Sequence, residues 1–320
     1  MSPSAPGRPP DRSVSERAGW TVTVRAPAKV NLQLAVGARR PDGYHDLATV
    51  YQAVDLYDEV TAEPALGVVV EVAGTTAAGT PADESNLAVR AAYALAEHAG
   101  VAPNVRLRLA KSIPVAAGMA GGSADAAAAL LACDALWGLR TEREDLLQVA
   151  ATLGSDVPFA LVGGTAVGHG RGERLTPALA RGEYHWALAL AEVGLATPTV
   201  YAECDRLRIG RYVPEPRVSD SVMAALRAAD PVALGRALRN DLQPAACSLR
   251  PGLRLTLDVG EQYGALGAVV CGSGPTCAFL ARSEDHALDL VAALSASGAC
   301  RTVRRARGPV PGARLVEPPS

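Results

Sequence analysis

Three residue patterns are missing from this chain, and each absence excludes a class of protein. The six cysteines include no C-x-x-C pair, which argues against a zinc or disulfide framework and favours reduced, buried thiols. Lys and Arg total 31 against 33 Asp and Glu, so the basic excess typical of nucleic-acid binding is lacking. No apolar run is long enough for a membrane span, and the N-terminus has no hydrophobic signal segment. We therefore expect a cytoplasmic protein that binds neither nucleic acid nor membrane.

Lysine is scarce as well. Only two of the 31 basic residues are lysines, Lys29 and Lys111. Arginine and lysine replace each other readily on a solvated surface, but they are not equivalent where a compact ammonium group on a flexible stem is needed. The two lysines are therefore candidates for a defined role in the protein.

The 320 residues are enough for two domains with their own cores. Residues 1–19 are polar and proline-rich, and their composition predicts a disordered tail. Segments with strand and helix periodicity follow over 20–180, and a second pattern resembling a βαββαβ unit occupies 181–315. We therefore predict a two-domain α+β protein, and we expect a monomer or a weak homodimer.

Several element boundaries are predicted from local signals. Pro27 interrupts the alternating segment TVTVRAPAKVNLQLAVG, which predicts either a strand pair or one strand with a break. Ser85 or Asn86 is expected to cap the helix that follows it. Thr141 is expected to cap another helix, with Glu144 three residues later completing a capping box.

A glycine-containing segment, PVAAGMAGGSADAA, begins at Pro114 and leads into an alanine-rich helix. Two interpretations of Gly118, Gly121 and Gly122 stay open from the residues alone. The glycines either permit a tight connection into a buried helix, or they form a loop whose backbone N–H groups bind a phosphate with help from the helix dipole. Ser123 is the natural N-cap of this helix. The segment matches neither a Walker A loop nor a dinucleotide fingerprint.

This segment resembles the ATP loop of the GHMP kinases. The same resemblance extends from about Arg25 to Phe279, through the segments APAKVNLQLAVGARRPDGYHDLATVYQAVDL, LGSDVPF, TPTVY, RNDLQP and CGSGPT. The loop by itself is typical of the whole family. The A-K-x-N-L and D-G-Y-H segments, close together and in this order, are similar to the members that act on an alcohol carrying cytidine diphosphate.

The resemblance implies the GHMP kinase fold, with an N-terminal ribosomal-S5-domain-2-like domain and a C-terminal ferredoxin-like domain. It also implies transfer of the γ-phosphoryl group of ATP to a hydroxyl of a small-molecule cytidyl substrate, with Mg²⁺ accompanying the nucleotide. The sequence assigns no residue as a metal ligand. Two alternatives stay open. One is a GHMP kinase for another alcohol, such as homoserine or mevalonate, and the other is a non-catalytic nucleotide-binding protein.

The resemblance also assigns the catalytic and ATP-binding residues. Asp156 matches the family's general base, and Lys29 matches its catalytic lysine. A lysine there can hold Asp156 ionised, lower the pKa of the substrate hydroxyl, or stabilise the charge on the transferring phosphoryl group. Taken in isolation, Asp156 predicts a helix N-cap and Lys29 a charge on an edge strand. The implied ATP-binding residues are Pro114, Val115, Ala116, Ala117, Gly118, Met119, Ala120, Gly121, Gly122, Ser123 and Ala124.

The cytidyl substrate is expected to bind near the D-G-Y-H turn. The resemblance implies that His45 hydrogen-bonds the base and that Tyr44 and Tyr201 offer their ring faces to it. Taken in isolation, Tyr44 and His45 are ordinary half-buried rings in a turn. The implied substrate-binding residues are Asn31, Tyr44, His45, Tyr51, Thr197 and Tyr201.

The loop departs from the family pattern in its small residues. Ala116, Ala117 and Ala120 stand at glycine-like positions, and we expect the loop conformation to persist. Ala124 stands where the family often has a second serine, so any hydroxyl contact there falls to Ser123 alone.

Three polar residues nearby have weaker assignments. Gln243 stands where an acid is common, which argues against a catalytic role for the RNDLQP segment. Lys111 either neutralises phosphate charge or lies on the surface. Asp125, in the first turn of the helix, is expected to complement the helix dipole, with a Mg²⁺ contact as the less favoured alternative.

Overall fold

The structure is a computed structural model that describes residues 21–191, 194–300 and 302–317. The tail predicted over 1–19 lies outside these residues. Helices and strands alternate along the described ranges, which confirms the predicted α+β class. Within those ranges, no helix combines the length and apolarity that a membrane span requires.

The larger of two sheets contains eight strands. They are β1 (Val22–Arg39), β2 (His45–Glu63), β3 (Val68–Gly74), β4 (Val105–Lys111), β5 (Thr165–Gly170), β6 (Arg174–Pro177), β8 (Arg239–Asn240) and β12 (Arg314–Leu315). The main path is β12-β1-β2-β4-β3, with β5 and β6 continuing from β2, and β8 lying parallel to β1. Because β8 and β12 come late in the chain, the large sheet draws strands from both halves of the sequence.

β1 is one strand of 18 residues rather than a strand pair. Its register against β2 shifts between Pro27 and Ala28, so the proline lies at a β-bulge within a continuous strand, as the second alternative predicted. Beyond the bulge, alternation sends Ala28 and Val30 into the main core. It places Lys29 and Asn31 on the opposite face, where both are buried.

Four helices lie with the large sheet: α1 (Leu87–Ala99), α2 (Gly121–Trp137), α3 (Arg143–Leu153) and α4 (Val157–Val162). α2 is buried along most of its length, because its many alanines allow close packing against α1, β1 and β2. Asn86 caps α1 by accepting a hydrogen bond from the N–H of Ala88 at 2.8 Å. The cap predicted at Thr141 is wrong: α3 has Glu142 at the N-cap, and no side chain completes a capping box there.

The second sheet has four antiparallel strands, β7 (Tyr184–Leu190), β9 (Gly267–Val270), β10 (Cys277–Ala281) and β11 (Thr302–Gly308). Their order is β11-β7-β10-β9, which is the order expected of a βαββαβ unit with extra helices inserted between β7 and β9. The helices of this half are α5 (Thr197–Leu207), α6 (Asp220–Ala228), α7 (Pro231–Ala237), α8 (Gln243–Leu249), α9 (Gly252–Gln262) and α10 (Glu284–Ala296).

A buried charge cluster ties the segment before α2 to the large sheet. The ammonium group of Lys111, at the end of β4, contacts the carboxylates of Asp58 on β2 and Asp125 on α2. Asp58 also accepts hydrogen bonds from the backbone N–H groups of Ser112 at 2.6 Å and Ile113 at 2.8 Å. The surface alternative for Lys111 is therefore wrong, since its side chain is only 1% exposed.

Asp125 does more than complement the dipole of α2. One carboxylate oxygen contacts Lys111, while the other is buried without a hydrogen-bond partner among the described residues. Burial raises the pKa of the Asp125 carboxyl to about 7, against the opposing charge of Lys111. The cluster thus contains a carboxyl group whose protonated form the fold favours.

We predict that Asp125 makes the folded protein less stable as the pH rises from about 4 to about 7. Folding raises the pKa of Asp125, so between the two pKa values the folded state holds a proton that the unfolded state has lost. The contribution of this proton to the free energy of unfolding is complete below the unfolded pKa of about 3.9. It is lost as the pH rises through the folded pKa of about 7. Asp125→Asn should remove this fall in the free energy of unfolding, which is on the order of 2–4 kcal/mol between pH 4 and pH 7.

Urea denaturation at pH values from 4 to about 8 measures this slope. Asp289→Asn, at an exposed aspartate on α10, is the control and should leave the slope unchanged. A wild-type curve that runs parallel to that of Asp125→Asn would contradict the raised pKa.

Candidate active site

One cavity, of about 550 Å³, is lined by residues from both halves of the chain. It contains all the residues predicted to be catalytic or substrate-binding, which are Lys29, Asn31, Tyr44, His45, Tyr51, Asp156, Thr197 and Tyr201. Seven of the predicted ATP-binding residues also line it: Ala116, Ala117, Gly118, Ala120, Gly121, Gly122 and Ser123. The remaining four, Pro114, Val115, Met119 and Ala124, do not line it, and Met119 and Ala124 are buried in the main core.

Lys29 and Asp156 meet in this cavity. The Nζ atom of Lys29 lies 3.7 Å from Oδ2 of Asp156 and donates a hydrogen bond to Oδ1 of Asn31 at 2.6 Å. Lys29 is only 4% exposed, which contradicts its interpretation as a solvated charge on an edge strand. A buried ammonium group needs a carboxylate or dipole partner, and Lys29 has one of each.

The carboxylate of Asp156 does not cap the helix that it precedes. Asp156 occupies the N-cap of α4, but its side chain makes no capping hydrogen bond. Its Oδ1 atom instead accepts a hydrogen bond from the hydroxyl of Tyr51 at 3.0 Å. The N-cap interpretation therefore describes the backbone of Asp156 and not the side chain, which is held in the cavity.

Tyr51 and Asn31 hold the two charged groups in place. Tyr51 is buried and stacks on Phe159, with 4.8 Å between ring centroids. Burial, and next the charge of Asp156, raise the pKa of the Tyr51 hydroxyl well above its usual range, so the group stays a hydrogen-bond donor. The amide of Asn31 donates to Oγ1 of Thr49 at 2.9 Å, which fixes the orientation of the oxygen that accepts from Lys29.

The loop before α2 contains two strained alanines. Ala116 and Ala120 have φ values of +50° and +63°, in the left-handed region that an L side chain adopts at a cost of about 1–2 kcal/mol. Ala120 is the N-cap of α2, so the predicted cap at Ser123 is wrong. Ser123 is the third residue of the helix, and it lines the cavity.

Close packing accounts for two of the three glycines in the loop, while phosphate binding stays a prediction. Gly118 has φ +77°, and a Cβ there would collide with the backbone carbonyl of Cys271, so this glycine permits close packing against the turn before β10. A Cβ on Gly121 would lie 3.2 Å from the side chain of Ile113, in the core. Gly122 is exposed at the cavity. Packing thus explains Gly118 and Gly121, while the loop still presents its backbone to the cavity.

The aromatic end of the cavity is arranged differently from the expected pair of tyrosines. The ring of Tyr201 lies against His45, with 5.0 Å between centroids. The ring of Tyr44 is covered by the guanidinium group of Arg171, at 4.8 Å from its centroid. His45 is 6% exposed and Tyr44 is 53% exposed, so the two neighbours are not equally buried.

Asp205 is the side-chain hydrogen-bond partner of His45. The Nε2 atom of His45 lies 2.8 Å from a carboxylate oxygen of Asp205, and a carboxylate is an acceptor. In a neutral imidazole with its proton on Nε2, the other nitrogen, Nδ1, is an acceptor.

Three residues at or beside the cavity are not among those predicted from the sequence: Asp205, Arg171 and Ser273. Asp205 follows Tyr201 by four residues on α5, so helical spacing offered a signal that both lie on one face. Arg171 lies in a turn, and Ser273, whose hydroxyl is 3.0 Å from that of Thr197, lies in the CGSGPT segment. Periodicity gives no signal for either of these two.

Known proteins share this fold and most of this sequence. Family models described as the GHMP kinases N-terminal domain and the GHMP kinases C-terminal match residues 86–164 and 222–300. The chain is 58% identical over 296 residues to the 4-diphosphocytidyl-2-C-methyl-D-erythritol kinase of Streptomyces avermitilis, covering 92% of this chain and 100% of that protein. A relative of the same name from Mycobacterium tuberculosis is 55% identical over 300 residues, covering 94% of each chain. The chain belongs to the 4-diphosphocytidyl-2-C-methyl-D-erythritol kinase family, within the GHMP kinases.

Solved structures agree with the family assignment. The crystal structure of a 4-(cytidine 5'-diphospho)-2C-methyl-D-erythritol kinase matches with a TM-score of 0.74 and 34% identity, over 89% of this chain and 98% of that one. The homoserine kinase from Cytophaga hutchinsonii, at 20% identity and a TM-score of 0.70 over 92% of this chain and 97% of that one, shares the fold. The predicted two-domain GHMP kinase fold is therefore confirmed, while the division at residue 180 stays a prediction.

We predict that Ala120→Gly stabilises this kinase by about 1 kcal/mol. Glycine adopts the left-handed conformation without the steric cost, although its greater freedom in the unfolded chain offsets part of the gain. Ala128→Gly, within the same helix, is the matched control and should destabilise by about 1 kcal/mol. Urea or thermal unfolding measures both changes, and equal losses at the two positions would show that the loop backbone at Ala120 is not left-handed.

Proposed function

We propose that this chain transfers the γ-phosphoryl group of ATP to the 2-hydroxyl of 4-diphosphocytidyl-2-C-methyl-D-erythritol. The products are the 2-phosphate and ADP, in the non-mevalonate route to isoprenoid precursors. The observation that carries the proposal is the pairing of Lys29 with Asp156, 3.7 Å apart, in a cavity that also contains the glycine loop and the aromatic group around His45. The names of its close relatives support the choice of substrate.

The catalytic step uses Asp156 as a general base. One oxygen of Asp156 is held by Tyr51, which leaves the other, beside Lys29, to take the proton of the substrate hydroxyl. The deprotonated oxygen attacks the γ-phosphorus, the bond to the β-phosphate oxygen breaks, and ADP leaves. The ammonium group of Lys29 stabilises the negative charge on Asp156 and on the phosphoryl group in transit.

ATP is proposed to bind with its phosphates at the start of α2. The first N–H groups of a helix have no intrahelical partner, and the positive end of the helix dipole favours an anion there. The loop residues that line the cavity are the proposed contacts, and Ser123 adds a hydroxyl.

Mg²⁺ is proposed to enter with the phosphates of ATP, where it neutralises charge on the nucleotide. Among the described residues there is no group of three or more His, Cys, Asp or Glu side chains that could hold a metal ion. Asp125 does not line the cavity and is paired with Lys111, so it is a poor candidate ligand. Ser123 is the loop side chain that offers an oxygen in the cavity, which fits the few protein ligands that Mg²⁺ takes beside phosphate oxygens.

The cytidine base is proposed to bind between His45, Tyr44 and Tyr201. With its proton on Nε2, directed at Asp205, a neutral imidazole at His45 would accept a hydrogen bond at Nδ1 from the exocyclic amino group of cytosine, which uracil lacks. This feature argues against a kinase for homoserine or mevalonate, and the paired Lys29 and Asp156 argue against a non-catalytic protein. The expected cytoplasmic location and the monomeric or weakly dimeric state stay predictions.

Asp156→Asn should lower kcat by about 10²–10⁴-fold, because the amide cannot accept the proton. The affinity for ATP, measured by calorimetry, should stay close to that of the wild type, since Asp156 is proposed to act on the acceptor hydroxyl. Asp145→Asn, at a half-exposed aspartate on α3, is the control and should retain full activity. Wild-type kcat in folded Asp156→Asn would refute the general-base assignment.

The protein should bind CDP about ten- to a hundredfold more tightly than UDP, because an unpaired buried polar group costs about 1–3 kcal/mol. Calorimetric titration of both nucleotides, with an ATP analogue held constant, measures the difference.

Tyr201→Ala should raise KM for the cytidyl substrate and leave KM for ATP unchanged, since base stacking contributes about 1–3 kcal/mol. Equal affinities for CDP and UDP, or comparable turnover of homoserine or mevalonate, would contradict the assigned substrate.

A further inference from the structure

The turn between β5 and β6 places a second cation in the cavity. Arg171 lines the cavity, and its guanidinium group lies over the ring of Tyr44. The acidic side chain that it influences electrostatically, Asp42, is already paired with Arg40. Arg171 therefore brings a positive charge to the cavity that the catalytic step described above does not use.

The backbone next to Arg171 connects the two ends of the cavity. Gly172 packs directly against Tyr51, since a Cβ there would collide with the Tyr51 hydroxyl, and that hydroxyl is bonded to Asp156. On its other side, the Arg171 side chain reaches Tyr44, at the proposed cytidine end. Arg171 thus lies between the place of the reacting hydroxyl and the place of the base.

A diphosphate joins these two parts of the substrate and brings negative charge into the same stretch. Apart from His45, the basic side chains that line the cavity, among the residues that the structure describes, are Lys29 and Arg171. Lys29 is held by Asn31 and Asp156 at the reacting end. A guanidinium group is planar and matches two phosphate oxygens at once, which an ammonium group does not.

The hydrogen bonds that hold this turn come from backbone N–H groups and do not use the guanidinium group of Arg171. The N–H of Arg171 donates to the carboxylate of Glu173 at 2.7 Å, and the N–H of Gly172 donates to the carbonyl of His169 at 3.0 Å. The contact with the Tyr44 ring is a cation–π contact on a half-exposed tyrosine, which is weaker than a charge-assisted hydrogen bond to phosphate.

We propose that Arg171 is a specificity-determining residue that binds the diphosphate of the substrate. When the diphosphate enters, the guanidinium group leaves the ring of Tyr44 and forms hydrogen bonds to the phosphate oxygens. This movement exposes the ring face of Tyr44 on which the base then stacks, so phosphate recognition and base recognition are coupled. The inference rests on the proposed function, because it takes the cytidyl diphosphate as the ligand.

Calorimetric titration of cytidine and CDP into the wild type and into Arg171→Ala tests the proposal. Arg171→Ala should lose about ten- to a hundredfold in affinity for CDP, the effect of a lost hydrogen bond to a charged group. It should bind cytidine at least as tightly as the wild type, because the ring of Tyr44 is no longer covered. Arg171→Lys should recover only part of the loss, because an ammonium group cannot bind bidentately. Arg174→Ala, at an exposed arginine of the same hairpin that does not line this cavity, is the control and should bind both ligands like the wild type.

Kinetics provide a second readout. Arg171→Ala should raise KM for the cytidyl substrate while leaving kcat and KM for ATP close to their wild-type values. Equal losses in affinity for cytidine and CDP would mean that Arg171 only orders Tyr44. An unchanged affinity for CDP would place the diphosphate elsewhere. Either result overturns the role of Arg171 but leaves the proposed function intact. A wild type that binds neither cytidine nor CDP would overturn the proposed function together with it.

Discussion

A buried ammonium group requires a carboxylate partner, and this requirement organises the protein around its only two lysines. Lys111 meets Asp58 and Asp125 beneath the loop, and Lys29 meets Asp156 inside the cavity. Removing one partner of such a group leaves an uncompensated buried charge, which costs several kcal/mol.

The two lysines differ in position, because Lys29 lines the cavity and Lys111 does not. The Lys111 cluster lies outside the cavity lining and connects β4, β2 and the first turn of α2. Its position fixes where α2 begins, and therefore where the backbone N–H groups of the loop are presented. Lys29 opens onto the cavity, and its partner Asp156 shares its carboxylate with Tyr51. One lysine thus supports the loop, and the other lies at the cavity where we propose that the reaction takes place.

The cavity depends on both halves of the chain. Lys29, Tyr51 and Asp156 come from the first half, whereas Thr197 and Tyr201 come from α5 in the second. The loop before α2 packs on the turn before β10 so closely that Gly118 has no room for a side chain. Relative movement of the two halves would therefore change the distance between the loop before α2 and the aromatic group around His45.

The sequence by itself determined the features that depend on neighbouring residues. Helix and strand periodicity identified the α+β class, and capping preferences narrowed the N-cap of α1 to Ser85 or Asn86, of which the structure selects Asn86. The βαββαβ order of the second half also followed from local patterns. The motif segments brought Lys29, His45 and Asp156 together as one set of candidates, and the structure places all three in one cavity.

Only the tertiary structure decided the contacts between distant residues. His45 meets Asp205 across 160 positions of sequence, and Lys111 meets Asp58 across 53, and no periodicity reports such pairs. The positive φ of Ala120 could not be predicted from the sequence either. Alanine favours the right-handed helix, and it is the packing of the loop that holds Ala120 in the left-handed conformation. Local patterns record the preferences of a segment, while burial and partner choice depend on what the rest of the chain places around it.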